Sequence, residues 1–290
     1  MKTIRKKAFS LIELSLVLLI IGIIITGATQ STRLISAFRI SIAQSVTKSS
    51  PVTSIKGLIA WWESTSEESF LEEESEDGLK VSIWKDLNAQ SSYKYNPQQT
   101  TEAYRPTYVK NAINGLPALR FDGSSQYLLI DHDAAFNPEV FTIFAVVNTV
   151  ECGYYCAITN SRYSGPPSQG FTLYTSPTSY EFWIGDGGFW AGAYAGLTSF
   201  SPRKTDLLTA VYDGTTRSLY YKGTRTDYGS TVFVPNTYTT PLRIGAGSEE
   251  YAGFFYNGFI GELIFFNRAL KAEERTAVEA YLIKKWGISF

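Results

Sequence analysis

Carboxylates, cysteines and clustered aromatic rings are the residues of this chain whose types and spacing could do chemistry. Hydrolysis of a glycoside needs two carboxyl groups facing each other across a cleft, about 5–5.5 Å apart for retention and further apart for inversion. Glu181, Asp186 and Glu262 stand alone in strand-like text and form no such pair, so they read as solvated strand-edge residues. Hard cations take oxygen ligands around a tight loop. The run Glu67, Glu68, Glu72, Glu73, Glu74, Glu76 and Asp77 and the triplet Asp131-His132-Asp133 are rich in oxygen but match no EF-hand spacing. No cofactor is required by the sequence; calcium is the one that these stretches could ligate, and His132 reads as a loop residue. Tyr154, Tyr155, Trp183, Trp190, Tyr251 and Tyr256 fall in Gly-rich text among further rings (Tyr163, Phe189, Tyr194, Phe254 and Phe255). Planar rings of this kind stack on sugar faces and anchor protein interfaces, so they are the candidate ligand-binding residues, although most aromatic residues pack cores.

Cys152 and Cys156 are the only cysteines. A C-x₃-C pair without a second ligand pair is a poor metal or redox site. A straight strand would hold residues four apart too far from each other to bridge, so Gly153-Tyr154-Tyr155 must turn, and a disulfide would staple a hairpin tip. That pairing needs an oxidising compartment, which the N-terminus supplies.

Lys2, Arg5, Lys6 and Lys7 precede an apolar run over residues 9–28 that contains one carboxylate, Glu13. Twenty residues of helix span roughly 30 Å, a bilayer core, and the basic flank keeps the N-terminus cytoplasmic. An unpaired carboxylate in hydrocarbon costs a few kcal/mol or so, which implies a partner that anchoring alone would not need. Leu34, Ile35, Phe38, Ile42 and Val46 continue at helical spacing, so the helix is expected over residues 9–49, half in lipid and half against an outer domain, with Ser49-Ser50-Pro51 as its stop.

Lys6-Lys7-Ala8-Phe9-Ser10-Leu11-Ile12-Glu13 resembles the type IV prepilin motif. The resemblance implies cleavage by a prepilin peptidase between Ala8 and Phe9, N-methylation of Phe9, and an assembly role for Glu13 toward other pilin subunits. The family usually carries Gly where this chain has Ala8. Cleavage would create an ammonium at Phe9 that can neutralise Glu13 of a neighbouring subunit. The implied division is a leader over residues 1–8, a membrane stem over 9–50 and an outer domain over 52–290. The implied location is the bacterial inner membrane, then a pilus or pseudopilus outside it.

The chain has 26 basic against 27 acidic residues, and loss of the four in the leader would leave 22 against 27. An acidic outer part speaks against nucleic acid as a partner. From residue 52 the text is that of a β-protein. The clearest strands are 140–148, 206–212, 217–222 and 259–267, with Asp213-Gly214 as a hairpin turn. About ten such runs without alternating helices favour two packed antiparallel sheets. A terminal helix over 271–286 would bury Ala277, Val278, Tyr281, Leu282 and Trp286 and end at Gly287.

Gly57 to Trp62, Arg105 to Gly123 and Phe259 to Gly287 are similar to the laminin G-like branch of the concanavalin A-like lectin/glucanase superfamily. The resemblance implies a jelly-roll sandwich that binds carbohydrate or protein ligands, in some members through calcium. Catalytic members carry an E-x-D-x-x-E strand, which this chain lacks. The expected class is therefore mainly β, a pilin helix followed by a concanavalin A-like sandwich with a C-terminal helix. The expected role is adhesion or ligand binding without catalysis, as a minor pilin or as a secretion pseudopilin; a tethered hydrolase is the third reading.

Overall fold

The computed structural model describes residues 11–163, 165–195, 201–247 and 253–289, apart from the side chains of 11–13, 22–30 and 32–33. The chain divides into two compact units, Met1–Ile42 and Ala43–Phe290. Helix α1 (Leu11–Lys48) stops just before Ser49-Ser50-Pro51, since the residue preceding a proline is pushed out of helical geometry. The leader, Ala8 and Phe9 lie outside the described residues, as does the side chain of Glu13. Among the described residues no helix is long and apolar enough to cross a membrane. Leu34, Ile35, Phe38 and Ile42 are exposed. Burial begins instead at Ala43 and Thr47, where Gln44 Nε2 donates to the Thr65 carbonyl (3.0 Å) and Thr47 Oγ1 lies 3.4 Å from the Tyr281 hydroxyl.

The second unit is a sandwich of two antiparallel sheets. The larger has eight strands: β1 (Leu58–Glu63), β2 (Thr107–Ile113), β3 (Leu116–Asp122), β5 (Phe141–Glu151), β10 (Thr205–Tyr212), β11 (Thr216–Tyr221), β12 (Thr224–Ser230) and β14 (Asn257–Phe266). Their order is β12-β11-β10-β5-β14-β3-β2; β3 pairs with the first half of β14, and β1 with its second half. The smaller sheet has six strands in the order β4-β13-β6-β7-β8-β9: β4 (Leu128–Ile130), β6 (Cys156–Tyr163), β7 (Gln169–Thr175), β8 (Tyr180–Gly185), β9 (Trp190–Ala195) and β13 (Leu242–Ile244). All four strands singled out in the sequence are present within a few residues of their expected bounds. Asp213 Oδ1 accepts from the amides of Thr215 and Thr216 (2.9 and 2.6 Å), closing the Asp213-Gly214 hairpin.

Strand β5 carries the unbroken apolar run Ile143 to Val147 because both its faces are buried there. Ile143, Ala145 and Val147 point into the core between the sheets, among Phe121, Leu173, Phe182 and Leu208. Phe144 and Val146 lie on the opposite face. That is the face covered by α2 (Ala272–Trp286), since Thr209, the cross-strand partner of Phe144, donates to Glu279 of α2 at 2.9 Å. Gly287 caps α2 in the left-handed region (φ 60°).

The expected helix face needs two corrections. Ala277 is exposed, and the charged Glu279 and Lys285 are buried. Charge is tolerated there because each group is paired. Arg275 donates twice to Glu279 (2.7 Å each), and Lys285 Nζ lies 2.5 Å from Glu63 and 2.9 Å from Glu262. Glu262, expected at a solvated edge, is buried. Its carboxylate also accepts from Trp61 Nε1 (2.7 Å), Tyr281 Oη (2.7 Å) and Trp286 Nε1 (2.8 Å).

Candidate functional site

With α2 over the outer face of the larger sheet, the outer face of the smaller one is left to build a site. Inward and outward side chains alternate along its strands. On β7, Phe171 and Leu173 enter the core while Thr172 and Tyr174 face out; on β8, Phe182 and Ile184 enter it while Glu181 and Trp183 face out. Cross-strand register assembles the outward residues into rows, among them Asn160–Thr172–Trp183–Gly192, with Arg162 at the end of β6 and Trp190 at the start of β9.

The Cys152–Cys156 disulfide forms as expected, with Cα atoms 5.9 Å apart, and closes the turn between β5 and β6. The turn carries Tyr154 and Tyr155 over this face. Their rings meet edge to face at 4.4 Å, and Tyr155 lies 5.3 Å from Tyr174 and 6.0 Å from Trp183. Phe254, from the segment leading into β14, contributes another ring, 6.1 Å from Tyr174. Arg162 spreads its guanidinium 4.5 Å over the Trp190 ring and donates to the Tyr174 hydroxyl. Tyr154, Tyr155, Arg162, Tyr174, Trp183, Trp190 and Phe254 together enclose a cavity of about 190 Å³.

Two backbone features make this packing feasible. A side chain at Gly170 (φ +82°) would overlap the Ser161 carbonyl, and a Cβ at Gly192 would come 3.0 Å from the Trp183 indole. The missing side chain at Gly192 is thus where the Trp183 ring lies. Glu181 Oε2 accepts from Trp183 Nε1 (2.7 Å), and Oε1 accepts from Ser179 Oγ (3.0 Å), so this carboxylate orients the indole. Burial, then the charge of Glu181, pushes the Tyr155 phenol up from its ordinary value and keeps it neutral.

Four of the six ring residues singled out in the sequence therefore meet in one cavity. Tyr251 lies outside the described residues. Tyr256 is a correction: it is fully buried in the core, its hydroxyl 3.1 Å from Thr149 Oγ1, and it reaches no outer surface. Arg162 and Tyr174 were missed. The only trace of Tyr174 in the sequence is the alternation along β7, and Arg162 has none.

The three lone acids occupy three unrelated places. Glu181 is buried, Glu262 lies under α2, and Asp186 accepts from the amides of Gly188 and Phe189 (2.8 and 2.6 Å) in an exposed turn that lowers its pKa. Of the three, Glu181 alone adjoins the cavity, so they form no opposed pair there. In the acidic run, Glu74 accepts from the Ser82 amide (2.9 Å) and Asp77 from the Lys110 amide (2.8 Å). Among the described residues no group of three or more His, Cys, Asp or Glu side chains is placed to hold a metal ion. A larger hollow of about 670 Å³ lies between α2 and the β11–β12 turn, but Tyr221 is its single aromatic ring, and it is open along its length.

The family model of the concanavalin A-like lectin/glucanases superfamily matches residues 122–274, just over half of the chain. Three solved structures share the fold. Trypanosoma rangeli sialidase in complex with sialic acid is 16% identical with a TM-score of 0.53, over 80% of this chain and 34% of that one. The binding domain of Paraclostridial Mosquitocidal Protein 1 is 14% identical at 0.54, over 80% and 55%. Domain 4 of a Geobacillus stearothermophilus extracellular arabinanase, in complex with arabinotriose, is 12% identical at 0.53, over 77% and 98%. This chain thus spans about a third of the sialidase and about half of the toxin domain. No curated protein matches the sequence.

Proposed function

The chain belongs to the concanavalin A-like lectin/glucanases superfamily, and from that premise we propose that it is a carbohydrate-binding protein that acts by recognition, not catalysis. Since the fold hosts many functions, the reading must come from the site. It is carried by one observation: Tyr154, Tyr155, Trp183 and Trp190, brought from a disulfide-closed turn and two strands, converge with Tyr174, Phe254 and Arg162 on a single cavity. Ring faces stack against the C–H faces of a sugar, while hydroxyls and the guanidinium supply directional contacts at its rim. The neighbouring folds captured with sialic acid and arabinotriose support the same ligand class. A hydrolase is not proposed because the described residues that line the cavity include no carboxylate.

The delivery of this domain is part of the proposal. The text Lys6 to Glu13 supports a type IV pilin-like subunit, in which peptidase cleavage before Phe9 and a Glu13–ammonium contact between subunits carry the stem from the inner membrane into a filament. Mass spectrometry of the mature N-terminus tests this half; N-methylated Phe9 is the expected first residue, and an intact Met1 would refute it. A glycan array on the detergent-solubilised chain tests the binding half. Retention of at least one glycan class, lost in Trp190→Ala, is expected, and no retention across the array would overturn it.

A further inference from the structure

We infer that Lys285 and Glu63 condense to an intramolecular amide, with Glu262 moving the protons, so that α2 is bonded covalently to β1. The bond is independent of what the ring cavity binds. Glu63 and Glu262 are cross-strand partners on β1 and β14, so their carboxylates leave the sheet on one face, and Lys285 meets both from the last turn of α2. Its Nζ lies 2.5 Å from Glu63 Oε2 and 2.9 Å from Glu262 Oε2. The side chains of Lys285 and Glu63 are fully buried, and that of Glu262 is 1% exposed. One ammonium between two carboxylates leaves a net negative charge, which a low-dielectric interior tolerates poorly and a simple ion pair would not carry. A buried amine, a carboxyl group against it and a second carboxylate as base are instead the parts of an acyl-transfer site.

Each step has an atom in place. Lys285 Nζ becomes the nucleophile once it gives a proton to Glu262. Glu63 Oε1 accepts from the Ser66 amide (2.6 Å), and Oε2 from the Thr65 amide and hydroxyl (2.8 and 2.7 Å), donors that meet the charge of a tetrahedral intermediate. The Nζ–Cδ bond forms, the Cδ–Oε2 bond breaks, and Oε2 departs as water with the two protons that the nitrogen loses. Oε1 remains as the amide carbonyl, and the remaining N–H donates to Glu262. Three buried charges are thereby exchanged for one, that of Glu262, which Trp61 Nε1, Tyr281 Oη and Trp286 Nε1 already meet (2.7, 2.7 and 2.8 Å). Reactants held in this way have effective molarities of roughly 10⁵ M or more. Since β1 is the first strand after α1, the amide fastens the strand that takes up load arriving through α1 to the last helix of the chain.

The test is mass spectrometry of the full chain, purified in detergent, then reduced and denatured. A mass one water below that of its own determined N-terminus is expected, with a branched proteolytic peptide joining Glu63 to Lys285. The bond closes a loop across a separation of 222 residues, so the chain should also run faster than Lys285→Arg on a reducing denaturing gel. Full mass and separate peptides in the unaltered chain would overturn the proposal, whether or not any variant folds. Glu262→Gln should show no branch; a branch that forms undiminished there would overturn the proton-transfer role and leave the amide standing. Should Glu262→Gln not fold, Glu262→Asp should form the branch more slowly in a time course after synthesis, and an unchanged rate would overturn that role equally.

Discussion

Both outer faces of the sandwich bury polar side chains, and they differ in whether those groups are satisfied. Under α2, the charges of Lys285, Glu63 and Glu262 meet one another, and the surrounding donors are spent on the same carboxylates: Thr65 N and Ser66 N on Glu63 (2.8 and 2.6 Å), and Trp61, Tyr281 and Trp286 on Glu262. On the smaller sheet, Glu181 is satisfied, Thr172 and Asn160 each retain an unused buried atom, and the outer face carries a ring-lined cavity. A saturated network ties elements together, whereas a cavity lined by rings and one guanidinium leaves contact surface open to a ligand. The first face is therefore assigned to stability and the second to recognition.

The largest expected effect breaks the first face alone. Lys285→Met strands two buried carboxylates and should cost about 3–5 kcal/mol in chemical denaturation, while sugar affinity measured on the folded fraction stays unchanged. Next is the staple of the recognition face. Cys152→Ser with Cys156→Ser should lose about 2 kcal/mol of stability, and also weaken sugar binding, because the turn carrying Tyr154 and Tyr155 is no longer held. Trp190→Ala should weaken binding about tenfold, equivalent to about 1.4 kcal/mol, with a stability loss smaller than that of Lys285→Met.

The smallest effects sharpen the contrast through pH. Asp206 is buried, accepts from Tyr180 and Tyr221 (3.0 and 2.9 Å) and faces Lys222 at 3.4 Å. Burial raises its pKa despite those partners, so its contribution is fully present below the ordinary 3.8 and is lost as pH rises through the folded value. Asp122 is the opposite case. Burial opposes its ionisation, but the amides of Ser125, Ser124 and Gln126 outweigh it and lower its pKa, so its contribution is present above 3.8 and is lost as pH falls. Stability profiles of Asp206→Asn and Asp122→Asn should depart from the parent in opposite directions across the acid range; parallel departures would contradict the assignment.

Legibility in the sequence followed the range of the interactions. The four strongest strands, the Asp213 turn, the disulfide turn and α2 with its Gly287 cap were readable because each rests on neighbours in sequence. Lys285 was not, since a lysine in the last turn of a helix suits solvent, and only the pairing of β1 with β14 brings Glu63 and Glu262 beneath it. The rings of Tyr154, Tyr155, Trp183 and Trp190 stood out by type. Their meeting, and the inclusion of Arg162 and Tyr174, depend on a register across four strands that local pattern does not encode. Tyr256 was misassigned because ring type alone does not say which side of a sheet it faces.

The most direct test uses the six tryptophans, of which Trp183 and Trp190 line the cavity while Trp61, Trp62, Trp84 and Trp286 are buried. Titration of an array-selected glycan into the chain, monitored by tryptophan fluorescence, should give a saturable change that disappears in Trp183→Phe with Trp190→Phe and persists in Ile283→Asp, on the hollow beside α2. A signal lost in Ile283→Asp but kept in the double variant would contradict the account.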